Sequence, residues 1–363
     1  MSLSQQNIIN FGSGPAALPQ QVLSEAAEAI LSYQGTGISV LSLPHRGAHF
    51  NAILEESKQL VRDITGIGAD YEVLWLPGGG RLQFSMIPMN FLGEGQTAAY
   101  IDSGHWSAEA MDYAGYYGNI ETLAGSRELN YRELPSLPPA IGHYAYLHYT
   151  TNNTIYGTQW NQIPQAGAPL VADMSSDIFS RPVPYTRYAM FYACAQKNIG
   201  PAGVTLAVVH RSLLERTVRA MPPMLSYAAH AAKNSVLNTP PVYAIYVSML
   251  MLRWIKNKGI EVIQRENTQK AEALYAALDA STVFQPVVSR KDHRSAMNVC
   301  FRAGSEATGK AFVHLCARHG ITGLEGHRSV GGLRVSLYNA ITLQDVEKLV
   351  AVLKEFELIS INK

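Results

Sequence analysis

Short apolar runs that alternate with helical patterns are the feature that most constrains the fold of this chain. The strand candidates lie at residues 71–76, 97–101, 144–149, 169–172, 188–193 and 205–209. Helical patterns occur at residues 81–91, 107–116 and 212–219. Alternation of this kind predicts βαβ units, and therefore an α/β fold whose mostly parallel sheet lies between helices. The ligand site of such a sheet lies beyond the carboxyl ends of its strands, so the residues after each strand are the first functional candidates.

The last third of the chain has a different pattern. A long helical stretch is predicted over residues 242–278, then strands at 297–302 and 333–337 and helices at 308–318 and 343–356. Thr342 and Asp345 have the spacing of a capping box at the start of the last helix. We therefore predict three parts: a large domain over residues 17–260, a small α+β domain over 261–363, and an N-terminal segment, 1–16, that packs on the small domain.

Composition excludes several classes of protein. The net charge is +1, and no basic stretch is long enough to follow a nucleic-acid backbone. The most apolar stretch, residues 242–252, is too short to span a membrane. Cys194, Cys300 and Cys316 lack the spacings of a disulfide framework or a zinc site, so we expect no metal and a cytoplasmic location. Only 16% of the residues are charged, which suggests a surface buried against a second copy of the chain.

Lys197 is the first catalytic candidate. It follows a predicted buried strand directly and precedes a Gly-Pro turn at residues 200–201. Desolvation at the inner end of a strand favours the neutral amine, which is the nucleophile that a Schiff-base lysine must supply. Position alone is equally consistent with a turn lysine that reaches solvent.

Asp173 ends another predicted strand, at residues 169–172. A carboxylate there can pair with the ring nitrogen of a pyridinium cofactor and keep that nitrogen protonated. An N-cap for the following segment is an equally good interpretation of Asp173. An acid and a lysine at the ends of neighbouring strands are more specific together than either residue alone.

Two further strand-to-helix junctions carry candidate cofactor contacts. Glycines 78–80 with Arg81 suit a phosphate, because amides at a helix N-terminus bind anions, although a plain tight turn is the alternative. The indole of Trp106 could stack on an aromatic ring or belong to the core. Residues 12–17 resemble a dinucleotide fingerprint but lack the third glycine and a preceding strand, so we discount that interpretation.

Two His-Arg pairs are candidates for binding an anionic substrate. They are His45-Arg46 and His327-Arg328, and Arg334 follows the second pair closely. Guanidinium and imidazole groups together suit a doubly charged phosphate, and a single arginine suits a carboxylate. Solvent-exposed surface arginine is the alternative for each of them.

Taken together, these segments resemble the phosphoserine aminotransferase family, within the class V aminotransferases of pyridoxal-phosphate (PLP) fold type I. The resemblance covers almost the whole chain and rests on residues 10–16, 45–46, 79–81, 104–106, 172–176, 196–203, 238–241 and 326–332. It implies a fold-type I architecture and amino transfer between L-glutamate and 3-phosphohydroxypyruvate, giving O-phospho-L-serine and 2-oxoglutarate for serine biosynthesis. The family also allows 4-phosphohydroxy-L-threonine as a product, in vitamin B6 (pyridoxine) biosynthesis.

The resemblance also implies a role for each candidate residue. Lys197 would hold PLP, Asp173 would pair with the ring nitrogen, Trp106 would stack on the ring, and Thr154 would bond the ring oxygen. The cofactor phosphate would be bound by Gly80, Arg81 and Gln196, and by Asn238 and Thr239 of a neighbouring subunit, in a homodimer with shared active sites. The substrate phosphate would be bound by Arg46, His327, Arg328 and His45, and the α-carboxylate by Arg334.

The chain departs from the family pattern at two places. Residues 151–157 read Thr-Asn-Asn-Thr-Ile-Tyr-Gly where Pro-Asn-Glu-Thr-Ile-Asp-Gly is usual, and Leu82 stands where a small residue is frequent. Three rival functions are weighed: a cysteine desulfurase, which needs an accessible nucleophilic cysteine; an aminotransferase for an unphosphorylated amino acid; and a non-catalytic PLP-binding protein. The His-Arg pairs argue against the second, and the presence of Lys197 and Asp173 argues against the third.

Overall fold

The computed structural model describes residues 8–138, 143–165 and 167–361. These described residues form twelve strands and ten α-helices. The strands are β1 (Ile9–Asn10), β2 (Tyr71–Pro77), β3 (Thr97–Asp102), β4 (Asn119–Gly125), β5 (Leu147–Thr150), β6 (Leu170–Asp173), β7 (Met190–Cys194), β8 (Val204–His210), β9 (Phe284–Pro286), β10 (Asn298–Ala303), β11 (Ile321–Thr322) and β12 (Leu333–Ser336). The helices are α1 (Gln20–Leu31), α2 (Ala48–Thr65), α3 (Gly80–Phe91), α4 (His105–Ala114), α5 (Arg211–Leu214), α6 (Tyr227–Ala232), α7 (Val242–Lys258), α8 (Ile260–Ala280), α9 (Glu306–Arg318) and α10 (Leu343–Ile361).

Seven strands form the central sheet, in the order β2-β8-β7-β6-β5-β3-β4. The strands β4, β3, β5, β6 and β7 run parallel, and β8 is antiparallel to both of its neighbours. This confirms the predicted α/β fold with a mostly parallel sheet. Strand β4 was not predicted, because it lies at the edge of the sheet and its residues alternate between exposed and half-buried without an apolar run.

Strands β5, β6 and β7 are buried along their whole length, since helices cover both faces of the sheet. One face, with Tyr149 and Phe191, packs against α2 and α7. The other face, with Tyr192, packs against α3 and α4. Asp173 ends β6 on this second side, which places its carboxyl group near the start of α3.

The C-terminal part has its own core around the antiparallel sheet β12-β10-β9 and helices α8, α9 and α10. Strand β1 pairs in parallel with β11, and Phe11 is fully buried in this core. The capping box is present: the Thr342 amide donates to Asp345 Oδ2 at 2.9 Å, and the Asp345 amide donates to Thr342 Oγ1 at 3.2 Å. Residues 1–7 of the predicted N-terminal segment lie outside the described residues, and the boundaries after residues 16 and 260 stay predictions.

Two predicted helices differ from the structure. Gly259, with φ of +84°, separates α7 from α8, so the predicted continuous helix over residues 242–278 was wrong. Glycine adopts this left-handed backbone without strain, which lets the chain turn between the two cores. Helix α5 ends at Leu214 rather than at residue 219.

Buried lysine Lys270 ties α8 to the segment that follows β12. Its Nζ donates to the carbonyl oxygens of Leu337, Tyr338 and Ile341 at 2.9, 3.0 and 2.9 Å. Burial lowers the pKa of Lys270 to about 7. These bonds fix the chain just beyond the strand that carries Arg334. Within the part of the chain that the structure describes, none of the helices combines the length and apolar character that crossing a membrane requires.

Candidate active site

A cavity of about 250 Å³ lies where β6 and β7 end and where α3 and α4 begin. Most of its lining consists of residues that the sequence identified as candidates. The lining residues are Gly79, Gly80, Arg81, Phe84, Trp106, Asp173, Ser175, Cys194, Gln196 and Lys197. This is the position expected for a ligand site in an open α/β sheet, at the carboxyl ends of the parallel strands.

Lys197 lies three residues beyond β7, in a turn that starts the return to β8. Its Nζ donates to Thr154 Oγ1 at 2.9 Å and lies 5.9 Å from the centroid of the Trp106 ring. A Cβ atom on Gly14 would lie 3.4 Å from Lys197 Cγ, so the N-terminal segment passes directly against the lysine. The cavity therefore holds an amine between a hydroxyl group and an indole.

The segment at residues 12–17 thus packs against the turn that carries Gln196 and Lys197. The amide of Ala16 donates to the carbonyl oxygen of Gln196 at 2.8 Å, and Tyr338 donates to the carbonyl oxygen of Ser13 at 3.0 Å. These contacts are consistent with the prediction that residues 12–17 are not a dinucleotide-binding loop. The contact joins residues about 180 positions apart, so the local pattern could not have predicted it.

Asp173 is 5% exposed and supplies the carboxylate of the cavity. Its Oδ1 accepts from the Ser175 amide at 2.9 Å, and its backbone carbonyl accepts from the Thr151 amide at 3.0 Å. Thr150 and Tyr192 are its partners on the neighbouring strands. A carboxylate held in this way at the base of a closed cavity can bind a protonated ring nitrogen.

The first turn of α3 faces the same cavity. Gly79 is the N-cap residue and has no side chain to cap this twelve-residue helix, so the amides of Gly80 and Arg81 can bind an anion, whereas the Leu82 amide donates to the Gly79 carbonyl oxygen at 3.1 Å. Arg81 extends from this turn, with its guanidinium carbon 5.3 Å from the Trp106 ring centroid. Leu82, one of the departures from the family pattern, lies so close to Gly78 that a Cβ atom there would be 3.2 Å from Leu82 Cδ2.

These groups fit PLP in chemical kind. The amine of Lys197, the carboxylate of Asp173, the indole face of Trp106 and the α3 amides match its aldehyde, ring nitrogen, ring and phosphate. Trp106 Nε1 is buried and has no hydrogen-bond partner among the described residues. An orphaned buried donor is costly, which points to an acceptor that the chain itself does not provide.

Arg334 and His327, in the C-terminal part of the chain, lie close to residues that border the cavity. Arg334 Nη1 donates to the Thr154 carbonyl oxygen at 3.2 Å, next to the hydroxyl that accepts from Lys197. The imidazole of His327 lies 5.6 Å from that of His105, between ring centroids. Burial, and then the positive charges of neighbours that begin with His105 and Arg334, lower the pKa of His327.

Eight predicted residues are not among those that line the cavity within one chain: Thr154, His327 and Arg334, and also Arg46, Arg328, His45, Asn238 and Thr239. Arg46 and Arg328 are exposed, and His45 is half-buried on the loop before α2. Asn238 Nδ2 donates to the Thr239 carbonyl oxygen at 3.2 Å, and Asn238 Oδ1 is buried without a partner among the described residues. The predicted roles of these residues stay predictions. Asn238 and Thr239 in particular were expected to act on a neighbouring subunit.

Several residues of the site were not predicted individually. Ser175 accepts from the Cys194 amide at 3.2 Å and so joins the ends of β6 and β7. Glu109 forms an ion pair with Arg81, with Nε and Oε1 2.7 Å apart. Ser175 lay in a family segment, but Glu109 sits one helical turn past Trp106, and only the three-dimensional arrangement links it to Arg81.

The unusual loop at residues 151–157 is held by its own hydrogen bonds. Thr151 Oγ1 donates to the Asp173 carbonyl oxygen at 3.1 Å and also contacts Asp177. Asn152 Nδ2 donates to Ser176 Oγ at 2.8 Å. Tyr156 packs on Tyr131, with ring centroids 4.8 Å apart. The departures therefore leave Thr154 in place beside the lysine.

The cysteines do not suit nucleophilic chemistry. Cys194, Cys300 and Cys316 are all buried. Burial raises the pKa of Cys194, and it raises the pKa of Cys300 and Cys316 to about 12, so their thiols stay protonated at neutral pH. This argues against a cysteine desulfurase. In the described part of the chain, no group of three or more His, Cys, Asp or Glu side chains is arranged to hold a metal ion.

Known proteins resemble this chain over almost its full length. The family model of the class-V aminotransferases matches residues 8–349. The phosphoserine aminotransferase of Bacillus subtilis (strain 168) is 43% identical over 350 residues, which cover 96% of this chain and 98% of that protein.

Solved structures agree with this similarity. The phosphoserine aminotransferase from Bacillus circulans subsp. alkalophilus has a TM-score of 0.95 at 41% identity, covering 98% of this chain and all of that chain (100%). PLP-bound phosphoserine aminotransferase from Trichomonas vaginalis has a TM-score of 0.91 at 33% identity, covering 96% of this chain and 100% of that chain. This chain therefore belongs to the phosphoserine aminotransferase family, within the class-V aminotransferases.

Proposed function

We propose that this protein is a PLP-dependent enzyme that transfers the amino group of L-glutamate to 3-phosphohydroxypyruvate, giving O-phospho-L-serine and 2-oxoglutarate. The observation that carries the proposal is the position of Lys197 in the cavity. Its amine lies 2.9 Å from Thr154 Oγ1 and 5.9 Å from the Trp106 ring centroid, and the same cavity contains the carboxylate of Asp173. Similarity to phosphoserine aminotransferases over nearly the whole chain supports the choice of substrates.

Lys197 would act twice. Its Nζ would first bond the cofactor, and once the amino acid has displaced it, the freed amine would take the proton from the substrate Cα and deliver it to the carbon that receives the amino group. The hydroxyl of Thr154, 2.9 Å from Nζ, would orient the amine for this transfer. When bound, PLP supplies a protonated pyridine ring that accepts the electron pair left at Cα.

Asp173 and Trp106 would hold the ring in its reactive state. The buried carboxylate of Asp173 would keep the ring nitrogen protonated, because separating that ion pair in a closed cavity is costly. Trp106 would lie against the ring face and exclude water. Gly80, Arg81 and Gln196 would bind the cofactor phosphate from the same chain.

Cationic side chains would recognise the anionic groups of the two substrates. Arg334 would hold the α-carboxylate, consistent with its position 3.2 Å from the Thr154 carbonyl oxygen. Arg46, His45, His327 and Arg328 would bind the distal phosphate of the keto acid or the distal carboxylate of glutamate. A site for a distal phosphate also suits 4-phosphohydroxy-L-threonine as a product, and hence a role in pyridoxine biosynthesis.

The active unit would be a cytoplasmic homodimer with shared sites. Asn238 and Thr239 would reach the cofactor phosphate of the partner subunit, which accounts for their position outside the cavity of their own chain. The buried, unpaired side-chain oxygen of Asn238 supports this arrangement, since it leaves a polar group that a second subunit or its ligand can satisfy.

The test follows the absorbance of the PLP-loaded protein. Glutamate should convert the yellow form into the pyridoxamine form, and 3-phosphohydroxypyruvate should restore it. Hydroxypyruvate, which lacks only the phosphate, is the matched control and should restore the yellow form far less efficiently. Equal efficiency of the two acceptors would mean that the enzyme acts on unphosphorylated keto acids, and an unchanged spectrum with glutamate would indicate a non-catalytic PLP-binding protein.

A further inference from the structure

His105 and Glu109 lie on the first turns of α4, between the cavity and the loop that carries His327 and Arg328. The ring centroid of His105 lies 5.0 Å from that of Trp106 and 5.6 Å from that of His327. Its Nε2 is 3.7 Å from Glu109 Oε2. The proposed mechanism uses neither His105 nor Glu109, although both contact residues to which it assigns roles.

The carboxylate of Glu109 is shared between two cationic groups. Oε1 accepts from Arg81 Nε at 2.7 Å, while Oε2 faces His105 and is buried without a hydrogen-bond partner among the described residues. The side chain is only 18% exposed, so water screens these interactions weakly. Glu109 therefore holds Arg81 near Trp106 and leaves one oxygen that can accept a hydrogen bond from His105.

Positive or protonatable groups surround His327 on every side that the structure describes. They are His105 on α4, Arg81 on α3, Arg328 on its own loop and Arg334 on β12. Its Nδ1 lies 2.7 Å from Ser329 Oγ, which leaves Nε2 for another partner. Such a cluster favours the neutral imidazole in the absence of an anion and the protonated imidazole once an anion is bound.

We propose that His105 is a specificity-determining residue that pairs with His327 to bind the distal phosphate of the substrate, with Glu109 as its positioning residue. The inference rests on the proposed function, since it concerns the phosphorylated substrate of that reaction. Glu109 Oε2 lies 3.7 Å from His105 Nε2 and orients the His105 ring, so that His105 and His327 each present an N–H donor to one dianion.

The proposal predicts a pH dependence with a definite sign. A bound dianion stabilises protonated imidazole, so affinity is greatest at the acidic end of the range and falls as His327, whose pKa is lowered by burial and by neighbouring positive charges, loses its proton. A phosphate ester is mostly dianionic above pH 6.5, because its second pKa is about 6. Between about pH 6.5 and 8.5 the loss of affinity therefore reports His327, and binding near pH 7 should take up protons from the buffer.

Calorimetry on the PLP-loaded protein tests this with 3-phosphoglycerate, which carries the phosphate and carboxylate but no keto group to react. Titrations in two buffers of different ionisation enthalpy measure affinity and proton uptake together. We expect His105→Gln to weaken binding about tenfold at pH 6.5, because one N–H donor to the phosphate is lost. Glu109→Gln should show the same changes to a smaller degree, and in turnover both variants should raise KM for 3-phosphohydroxypyruvate more than they lower kcat.

His319→Gln is the matched control, because His319 also pairs with a glutamate, Glu355, at 3.1 Å but lies on the far side of the small core. It should behave like the unmodified protein. The inference is overturned if His105→Gln binds 3-phosphoglycerate with unchanged affinity. If the unmodified protein fails to bind 3-phosphoglycerate and 3-phosphohydroxypyruvate does not restore its yellow form, the proposed function itself fails, and the inference fails with it.

Discussion

The floor and the rim of the cavity are built on different principles. The floor, which comprises Lys197, Asp173 and Thr154, lies at or just beyond strand ends and is fixed by hydrogen bonds. The rim comprises Arg46, His45, His327 and Arg328, which lie on loops and are exposed or half-buried. The floor residues therefore lie together within one chain, whereas Arg46, His45 and Arg328 do not line the cavity.

This difference separates the chemistry from the specificity. Residues anchored in a parallel sheet lose little freedom when the cofactor binds, so the groups that would act on the substrate Cα are preorganised. Loop residues must be ordered by the substrate or by a second subunit, so they can change without disturbing the catalytic groups. We expect mutations of the floor to lower kcat, and mutations of the rim to raise KM.

The largest effect is expected for Lys197→Ala. Removing the amine eliminates both the covalent bond to the cofactor and the proton carrier, so kcat should fall by about 10⁴-fold or more in a steady-state transamination assay. Lys310→Ala is the control, because Lys310 is an exposed lysine whose ion pair with Glu306 lies far from the cavity. If Lys197→Ala kept more than about a tenth of normal turnover, Lys197 would not be a catalytic residue, and the floor would not be the site of the chemistry.

Asp173→Asn comes next in size. The amide is similar in shape but cannot keep the ring nitrogen protonated, so kcat should fall by about 10²- to 10³-fold with little change in KM. Asp177→Asn is the matched control. Asp177 is equally buried on the same segment but faces Thr151 and Gln159 rather than the cavity.

Asp177→Asn should lower the melting temperature while kcat falls little, because the substitution disrupts buried hydrogen bonds away from the ring. Equal losses of kcat in Asp173→Asn and Asp177→Asn would mean that Asp173 acts only through the fold. That result would remove the distinction between a catalytic floor and its supporting structure.

Much of the floor could be predicted from sequence, because its residues follow buried strands. Strands β6 and β7 are apolar up to their ends, so Asp173 and Lys197 stand out where the apolar runs end. The exposed edge strand β4 has no such signal and was missed. The break at Gly259 was missed because the helical pattern continues on both sides of one residue whose backbone turns out to be left-handed.

The contacts that join distant segments could not be predicted from the sequence. Gly14 lies against Lys197, and Glu109 joins Arg81 to His105, but no local period encodes either arrangement. The proposed roles of Asn238 and Thr239 involve a second subunit, so no local pattern within one chain predicts them, and the buried, unpaired Asn238 Oδ1 became visible only in the structure.

The smallest effect is expected for Arg328→Ala, which tests whether a rim residue affects substrate binding rather than the chemical step. Loss of one charged contact to the phosphate should raise KM for 3-phosphohydroxypyruvate about 10- to 100-fold. Glutamate carries a single distal charge, so its KM should rise less, and kcat should change by less than about threefold. Arg318→Ala, at the exposed end of α9, is the control. A fall in kcat without a rise in KM would mean that Arg328 acts in the chemical step, as the floor residues do. The rim would then not be limited to substrate specificity.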